Sequence, residues 1–134
     1  MLVHQLLEAS AQRSPDSTFL IADGEAHTFA TIDALSSRIA TGLQLGGVGR
    51  GARVALVMHN SVELVASLFG VLKAGCVFVT VNPDTTVDRL AYVLEDCEVS
   101  AVIANSALRQ IVEPGVRRAP SVALTVWDGQ PTAV

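Results

Sequence analysis

Short, nearly continuous apolar runs alternate along this chain with longer stretches in which apolar residues recur every three or four positions. Runs of the first kind, typical of strands covered on both faces, lie at residues 53–58, 76–81, 101–104 and 122–126. Helical spacing separates them, for example at Ile32, Leu35, Ile39 and Leu43 and at Val87, Leu90, Ala91 and Leu94. This alternation predicts a doubly wound α/β fold, a mainly parallel sheet with helices on both faces.

The first thirty residues have a different pattern. Leu2, Leu6, Leu7 and Ala11 share one face of a short helix that ends before Pro15, because the residue preceding a proline is disfavoured in helical geometry. Two short extended runs at residues 18–22 and 26–29 flank Asp23-Gly24. This arrangement predicts a β-hairpin.

Helix starts and ends follow from polar residues beside the periodic stretches. Thr28, Asn60 and Thr85 are the predicted N-caps, the last two with Glu63 and Asp88 three residues on. The helix after residue 60 is predicted to bury Val62, Val65, Leu68, Phe69 and Leu72. A short helix is expected over 105–111, and Pro114-Gly115 predicts a loop after it.

Composition narrows the classes of function. Hydrophobic residues make up 50% of the 134 residues and charged residues 16%, against about 25% charged in ordinary globular domains. We therefore expect part of the surface to meet another domain or chain. The net charge is −4 and no basic stripe exists, so nucleic acid is excluded as a partner.

The chain also predicts its compartment. The apolar window 62–81 is interrupted by Glu63, Lys73 and Gly75, so we expect no transmembrane segment. Cys76 and Cys97 lack CxxC spacing, and the N-terminus does not have the pattern of a signal peptide. We expect a cytoplasmic protein with reduced thiols.

Several residues invite a chemical interpretation. The glycines of 46–51 follow a helix and precede a strand, the reverse of a nucleotide-binding loop, and are interpreted as a helix stop and connector. His59 is a candidate neighbour of a site at the end of a parallel strand, whereas His4 and His27 lack metal-ligand spacing. Neither cysteine has the setting of a nucleophile. We assign no catalytic, cofactor-binding or metal-binding residue.

Five ordered segments carry a resemblance to a known family. They are Ser14-Pro15-Asp16 with His27-Thr28-Phe29-Ala30-Thr31-Ile32, then Gly47-Val48-Gly49-Arg50-Gly51-Ala52-Arg53-Val54-Ala55, His59-Asn60-Ser61-Val62-Glu63, Leu72-Lys73-Ala74-Gly75 with Asn82-Pro83, and Leu90-Ala91-Tyr92-Val93-Leu94-Glu95-Asp96-Cys97. Together they resemble, over residues 1–127, the opening of the AMP-forming acyl-activating enzymes. That family includes acyl-CoA synthetases and adenylation domains of peptide synthetases.

The chain departs from the family pattern at a few positions. Thr31 replaces a Glu, His27 replaces a Leu and Thr80 replaces a Pro. Adenylation domains of peptide synthetases tend to carry Asp-Pro where this chain has Asn82-Pro83. This difference favours the acyl-CoA synthetase branch.

The resemblance implies that residues 1–134 form the N-terminal subdomain of an AMP-forming acid–thiol ligase, which uses ATP, Mg and CoA in fatty acid metabolism. The family's phosphate-binding loop and catalytic lysine do not occur in this sequence, and Lys73 is interpreted as structural. We therefore expect the fragment to bind no cofactor, to be inactive alone and to be completed by a companion chain. The alternatives are an adenylation domain of a peptide synthetase and a non-enzymatic α/β interaction module.

Overall fold

The computed structural model describes residues 2–22 and 24–128. Asp23, half of the predicted hairpin turn, lies outside the described residues. The helices are α1 (Val3–Arg13), α2 (Phe29–Leu45), α3 (Val62–Lys73), α4 (Val87–Asp96) and α5 (Arg109–Arg117), with a 3-10 turn at Ser106–Leu108. The strands are β1 (Thr18–Ala22), β2 (Glu25–Thr28), β3 (Arg53–Val57), β4 (Val77–Val81), β5 (Ala101–Ala104) and β6 (Leu124–Trp127).

The described strands form two sheets. β1 and β2 pair antiparallel as the predicted hairpin. The other four form a parallel sheet in the order β4-β3-β5-β6. Because α3 leads from β3 to one side of the sheet and α5 leads from β5 to the other, the predicted doubly wound α/β fold is confirmed.

Successive side chains of the central strands point to opposite faces, and each face has its own apolar core. Val54 and Leu56 pack with Leu43 of α2 and Val71 of α3 on one face. The opposite face packs Ala55, Val57, Val102 and Ala104 against residues of α4 and α5 that include Leu90, Leu94 and Val112. We call these the α2/α3 side and the α4/α5 side.

Strand β4 corrects one prediction. Its run of apolar residues predicted burial on both faces, but Val77 is 51% exposed and Phe78 39% exposed. The reason is its position, because β4 lies at the end of the sheet, with β3 on one side only. The other three predicted strands are present, β3 and β5 at the buried centre and β6 two residues shorter at its start than predicted.

The buried stripe of α3 is also different from the prediction. The fully buried residues are Ala66, Ser67, Gly70 and Val71, whereas the larger apolar side chains predicted there are half-buried. Small residues lie on the buried side of α3 because α2 packs very close to it. A Cβ atom on Gly70 would stand 2.6 Å from Cγ2 of Ile39 and 3.0 Å from the carbonyl oxygen of Ser36.

Two predicted N-caps were wrong by one residue. Ser61, not Asn60, caps α3 by accepting a hydrogen bond from the Leu64 N–H at 3.1 Å. Thr86, not Thr85, caps α4 through the Arg89 N–H. Both caps are hydroxyl groups, and each accepts a hydrogen bond from the N–H three residues further along the chain. Thr28 caps α2 as predicted, and its hydroxyl donates to Thr31, which stands where the family carries a Glu.

Pro114-Gly115, predicted as a loop, lies inside α5. The helix continues through the proline because its buried face packs on α4. A Cβ atom on Gly115 would stand 2.9 Å from Cδ2 of Leu90, so the two helices pack closely at this glycine. Tertiary packing overrides the local signal at this point.

The N-terminal elements pack outside the α2/α3 side. Of the predicted apolar face of α1, Leu7 and Ala11 are buried, whereas Leu2 and Leu6 are exposed. The ring of Phe19 on β1 makes edge contacts with Phe29 and Phe69, which tie the hairpin to α2 and α3. Among the described helices, none combines the length and apolar character needed to cross a bilayer.

Candidate functional site

The carboxyl ends of β3 and β5 meet at the point where the strand order reverses. Chain connections leave this point toward opposite edges of the sheet, which opens a crevice where ligands of α/β proteins usually bind. The loops that follow the two strands begin at Met58 and Asn105, and Asp128 follows β6 beside them. This crevice is the candidate site.

A short polar network joins the three loops. The backbone N–H of His59 donates to Oδ1 of Asn105 at 2.8 Å, and Nδ2 of Asn105 donates to Oδ2 of Asp128 at 3.2 Å. The Ser106 N–H donates to Oδ1 of Asp128 at 2.5 Å, at the start of the 3-10 turn. Asn105 and Asp128 thus hold the loops together, each through two side-chain hydrogen bonds within the protein.

Sequence reasoning placed only His59 at this edge. The structure places it there, exposed and adjacent to the start of α3. Asn105 was noted only as a helix opener and Asp128 was missed. The signal that could have found them is a polar residue directly after each predicted parallel strand, since such ends share one edge of the sheet.

A groove of about 300 Å³ lies between the hairpin and the start of α3. Leu20, Ile21 and Ala22 form one wall, and Asn60, Ser61, Leu64 and Val65 form the other. The side chain of Ser61 also donates to the carbonyl oxygen of His59 at 3.0 Å, which links this groove to the crevice. The lining is mostly apolar, the usual character of a surface that contacts the carbon skeleton of a ligand.

The glycine-rich connector behaves as the sequence predicted. Gly46 ends α2, and Gly47 and Gly51 have positive φ angles of 85° and 81°. The N–H of Gly51 donates to the carbonyl oxygen of Gly75 at 2.8 Å, so this backbone donor is used inside the protein. The connector lies at the amino end of β3, opposite the edge where ligands bind in such sheets.

Lys73, the only lysine of the sequence, is held at the end of α3. Its ammonium group donates to Oδ1 of Asp33 at 2.5 Å, to the carbonyl oxygen of Asp33 at 3.0 Å and to the hydroxyl of Ser37 at 2.8 Å. These three bonds use all three donors of the ammonium group. The geometry supports the structural interpretation of Lys73, which joins α3 to α2.

The two cysteines lie on opposite sides of the sheet. Cys76 is buried on the α2/α3 side, and burial raises the pKa of its thiol. Cys97 ends α4 and is half-buried. A raised pKa disfavours the thiolate that a nucleophile requires, in agreement with the prediction for Cys76. Among residues 2–22 and 24–128, no three His, Cys, Asp or Glu side chains are grouped so that they could hold a metal ion.

The described loops of the crevice carry one carboxylate, beside an arginine that is engaged with its neighbours. They bring together the amide of Asn105 and the carboxylate of Asp128, and a carboxylate repels phosphate oxygens. Arg109, at the start of α5, binds Glu113 at 2.9 Å and lies 4.2 Å over the ring of Trp127. We therefore derive no phosphate-binding step from these residues.

The fold is a doubly wound α/β unit with a crevice at the carboxyl ends of β3 and β5. The model of the AMP-binding enzyme family matches residues 7–133. The chain belongs to this family. The relatives that it matches are adenylate-forming enzymes.

The relatives fall into two branches. Surfactin synthase subunit 2 of Bacillus subtilis (strain 168) is 36% identical over 100 residues, which are 75% of this chain and 3% of that subunit. The structure of a benzoate CoA ligase from Burkholderia xenovorans LB400 superposes with a TM-score of 0.84 at 29% identity, over 96% of this chain and 26% of the ligase chain.

A third similarity concerns the fold alone. The anthranilate CoA ligase AuaEII, whose structure contains anthranoyl-AMP, has a TM-score of 0.87 at 24% identity and is matched over 98% of this chain and 28% of its own. This chain therefore spans about a quarter of the ligase chains and a few per cent of the synthase subunit.

Proposed function

We propose that this chain is the N-terminal subdomain, residues 1–134, of an acid–thiol ligase that activates a carboxylate with ATP. In this reaction a carboxylate oxygen attacks the α-phosphorus of ATP, and pyrophosphate leaves to give an acyl-adenylate. The sulfur of a thiol then attacks the acyl carbon and releases AMP. The observation that carries the proposal is the family match over nearly the whole chain, together with the shared fold.

In that reaction, the role of this chain is structural. Its only lysine is engaged with Asp33 and Ser37, and at the crevice the carboxylate of Asp128 is present while Arg109 is engaged with Glu113 and Trp127. The groups that bind ATP and Mg are therefore supplied by polypeptide outside residues 1–134, for example by a companion chain. The apolar groove beside α3 supports a contribution to one wall of the acyl pocket.

We assign CoA as the thiol and a fatty or aryl acid as the carboxylate. Asn82-Pro83, in place of Asp-Pro, supports this choice, as does the likeness to a benzoate CoA ligase. The identity of 36% to a surfactin synthase subunit supports the alternative, an adenylation domain that activates an amino acid. In the cell we place the ligase in the cytoplasm.

The test is ATP–pyrophosphate exchange, measured on the purified 134-residue chain and on a fusion. In the fusion this chain replaces the matched 26% of the Burkholderia benzoate CoA ligase. We expect no exchange from the chain alone and benzoate-dependent exchange from the folded fusion. Exchange by the chain alone would refute the scaffold role, and a fusion with native circular dichroism but no exchange would refute the family role.

A matched variant separates scaffold from catalysis. The Lys73→Met fusion loses the ion pair with Asp33. We expect it to keep the exchange rate per folded molecule, because Lys73 takes no part in the chemistry. A loss of rate without a loss of folded protein would make Lys73 a catalytic residue. The two branches are distinguished by the thiol, since mass spectrometry shows either a CoA thioester or an acylated carrier protein.

A further inference from the structure

Two side chains at the crevice join backbone N–H groups of two different loops. The N–H of His59 donates to Oδ1 of Asn105 at 2.8 Å, and the N–H of Ser106 donates to Oδ1 of Asp128 at 2.5 Å. Between these two bonds, Nδ2 of Asn105 donates to Oδ2 of Asp128 at 3.2 Å. We call Asn105 and Asp128 the crevice pair.

The chemistry of this link restricts the residue types that can form it. Each backbone N–H needs an oxygen, so the crevice pair must present an acceptor at both ends, and one donor and one acceptor in the middle. One amide and one carboxylate meet this requirement, in either order. Two amides would leave two donors facing each other at one of the three contacts, and two ionised carboxylates would place like charges side by side. The carboxylate of Asp128 therefore sets the orientation of the Asn105 amide.

The parallel sheet fixes the backbone of both residues. The N–H of Asn105 donates to the carbonyl oxygen of Val57 at 3.1 Å, and the N–H of Asp128 donates to that of Ala104 at 3.0 Å. Both side chains therefore start from positions that the sheet holds. A mismatch between them is relieved by movement of the loops that they join, one of which carries His59.

The link continues from His59 to the groove beside α3. The hydroxyl of Ser61 donates to the carbonyl oxygen of His59 at 3.0 Å and accepts from the N–H of Leu64 at 3.1 Å. Ser61 and Leu64 belong to one wall of the groove. The place of this wall therefore depends on the backbone of His59, which Asn105 holds.

We infer that the crevice pair positions the carboxylate substrate, because it holds the His59 loop and with it the groove wall that contacts the acyl group. The inference rests on the proposed function, in which this groove forms one wall of the acyl pocket. Asn105 and Asp128 act through Ser61 and Leu64 and are positioning residues. A wall that the substrate contacts equally before and during the reaction contributes uniform binding, which changes KM rather than kcat.

Amide hydrogen exchange of the purified 134-residue chain, followed by NMR, tests the link independently of activity. Asp128→Asn and Asn105→Asp should each speed exchange of the His59 amide at least about fivefold, because its hydrogen bond is weakened or lost. The amide of Leu64, at the far end of the link, should exchange at least about threefold faster. The double variant pairs an amide with a carboxylate in the reverse order, so both rates should return to within about twofold of wild type.

Benzoate-dependent exchange by the fusion tests the consequence for the substrate. Each single variant should raise the KM for benzoate at least about fivefold and leave kcat and the KM for ATP within about twofold. The double variant should restore the KM for benzoate. Asp84→Asn is the matched control, since Asp84 is exposed in the loop after β4, at the same end of the sheet. It removes the same charge and should change none of these constants.

The outcomes separate the inference from the proposed function. A folded wild-type fusion without exchange would refute the proposed function, and the Leu64 amide would still decide whether the crevice pair controls the groove wall. The inference would be overturned by unchanged Leu64 exchange in both single variants, by an unchanged KM for benzoate in an active fusion, or by a double variant no better than the single ones. Equal rises in the KM for benzoate and for ATP would also overturn it, because they would indicate a general loss of structure.

Discussion

The two sides of the parallel sheet bury their helices by different means. On the α2/α3 side the contact runs through small residues, Ser36 on α2 with Ser67 and Gly70 on α3, and the helix backbones approach closely. On the α4/α5 side large side chains fill the space, above all Leu90 and Leu94.

The difference teaches how much each side can adjust. Gly70 faces the branched Cβ of Ile39 and a backbone oxygen, which are stiff neighbours. Gly115, its counterpart on the other side, faces the end of the Leu90 side chain, which can rotate. The α2/α3 side also carries the Lys73–Asp33 ion pair. We expect the α2/α3 side to be rigid in geometry and the α4/α5 side to depend mainly on buried apolar volume.

The largest effect is expected from removing that volume. Leu90 is fully buried, and Leu90→Ala should lower the free energy of unfolding by about 3 kcal/mol. Urea denaturation followed by circular dichroism measures the change. The exposed residue Gln110 on neighbouring α5 provides the control, and Gln110→Ala should stay within about 0.5 kcal/mol. Equal losses for the two variants would show that this side does not depend on Leu90.

A matched pair of glycine substitutions tests rigidity. Gly70→Ala should cost about 2 kcal/mol, because its Cβ meets atoms that cannot move. Gly115→Ala should cost less than about 1 kcal/mol, since the Leu90 tip can shift and alanine favours the helix. The same denaturation experiment compares them. If Gly115→Ala proved the more damaging substitution, the proposed contrast between the two sides would be wrong.

The ion pair should contribute a smaller amount. Lys73→Met leaves Asp33 without its partner, and because the Asp33 side chain is 31% exposed to water, we expect a loss of only about 1 kcal/mol. Adding Asp33→Asn removes the unpaired charge and should recover part of the loss. A double-mutant cycle gives the coupling energy. A coupling energy of zero would mean that the Lys73–Asp33 ion pair does not stabilise the contact between α2 and α3.

The smallest effect concerns reactivity. Burial raises the pKa of the Cys76 thiol, so its thiolate forms only at a pH above the ordinary range. At pH near 8, iodoacetamide should modify Cys76 at least about tenfold more slowly than half-buried Cys97. Peptide mass spectrometry over time gives both rates, and the rate at Cys76 should rise as the pH is raised. Faster modification of Cys76 would contradict its burial on the α2/α3 side.

The sequence predicted the parallel sheet and its alternation with helices because continuous apolar runs and helical spacing are local signals. It could not predict strand order, and so it treated β4 like the central strands although Val77 and Phe78 are exposed. The close contact at Gly70 and the helix through Pro114 also depend on distant neighbours, Ile39 and Leu90. For the same reason the crevice was only partly foreseen. His59 was placed at its edge, whereas its bonds to Asn105, and those of Asn105 to Asp128, join residues far apart in sequence.

The central claim is that this chain supplies scaffold to an adenylate-forming enzyme without holding the nucleotide itself. Equilibrium binding of Mg–ATP to the purified 134-residue chain, measured by isothermal titration calorimetry, tests it most directly. The account predicts no saturable heat up to about 1 mM nucleotide, the upper end of the range in which enzymes usually engage their substrates. Saturable, magnesium-dependent binding in the micromolar range would contradict it.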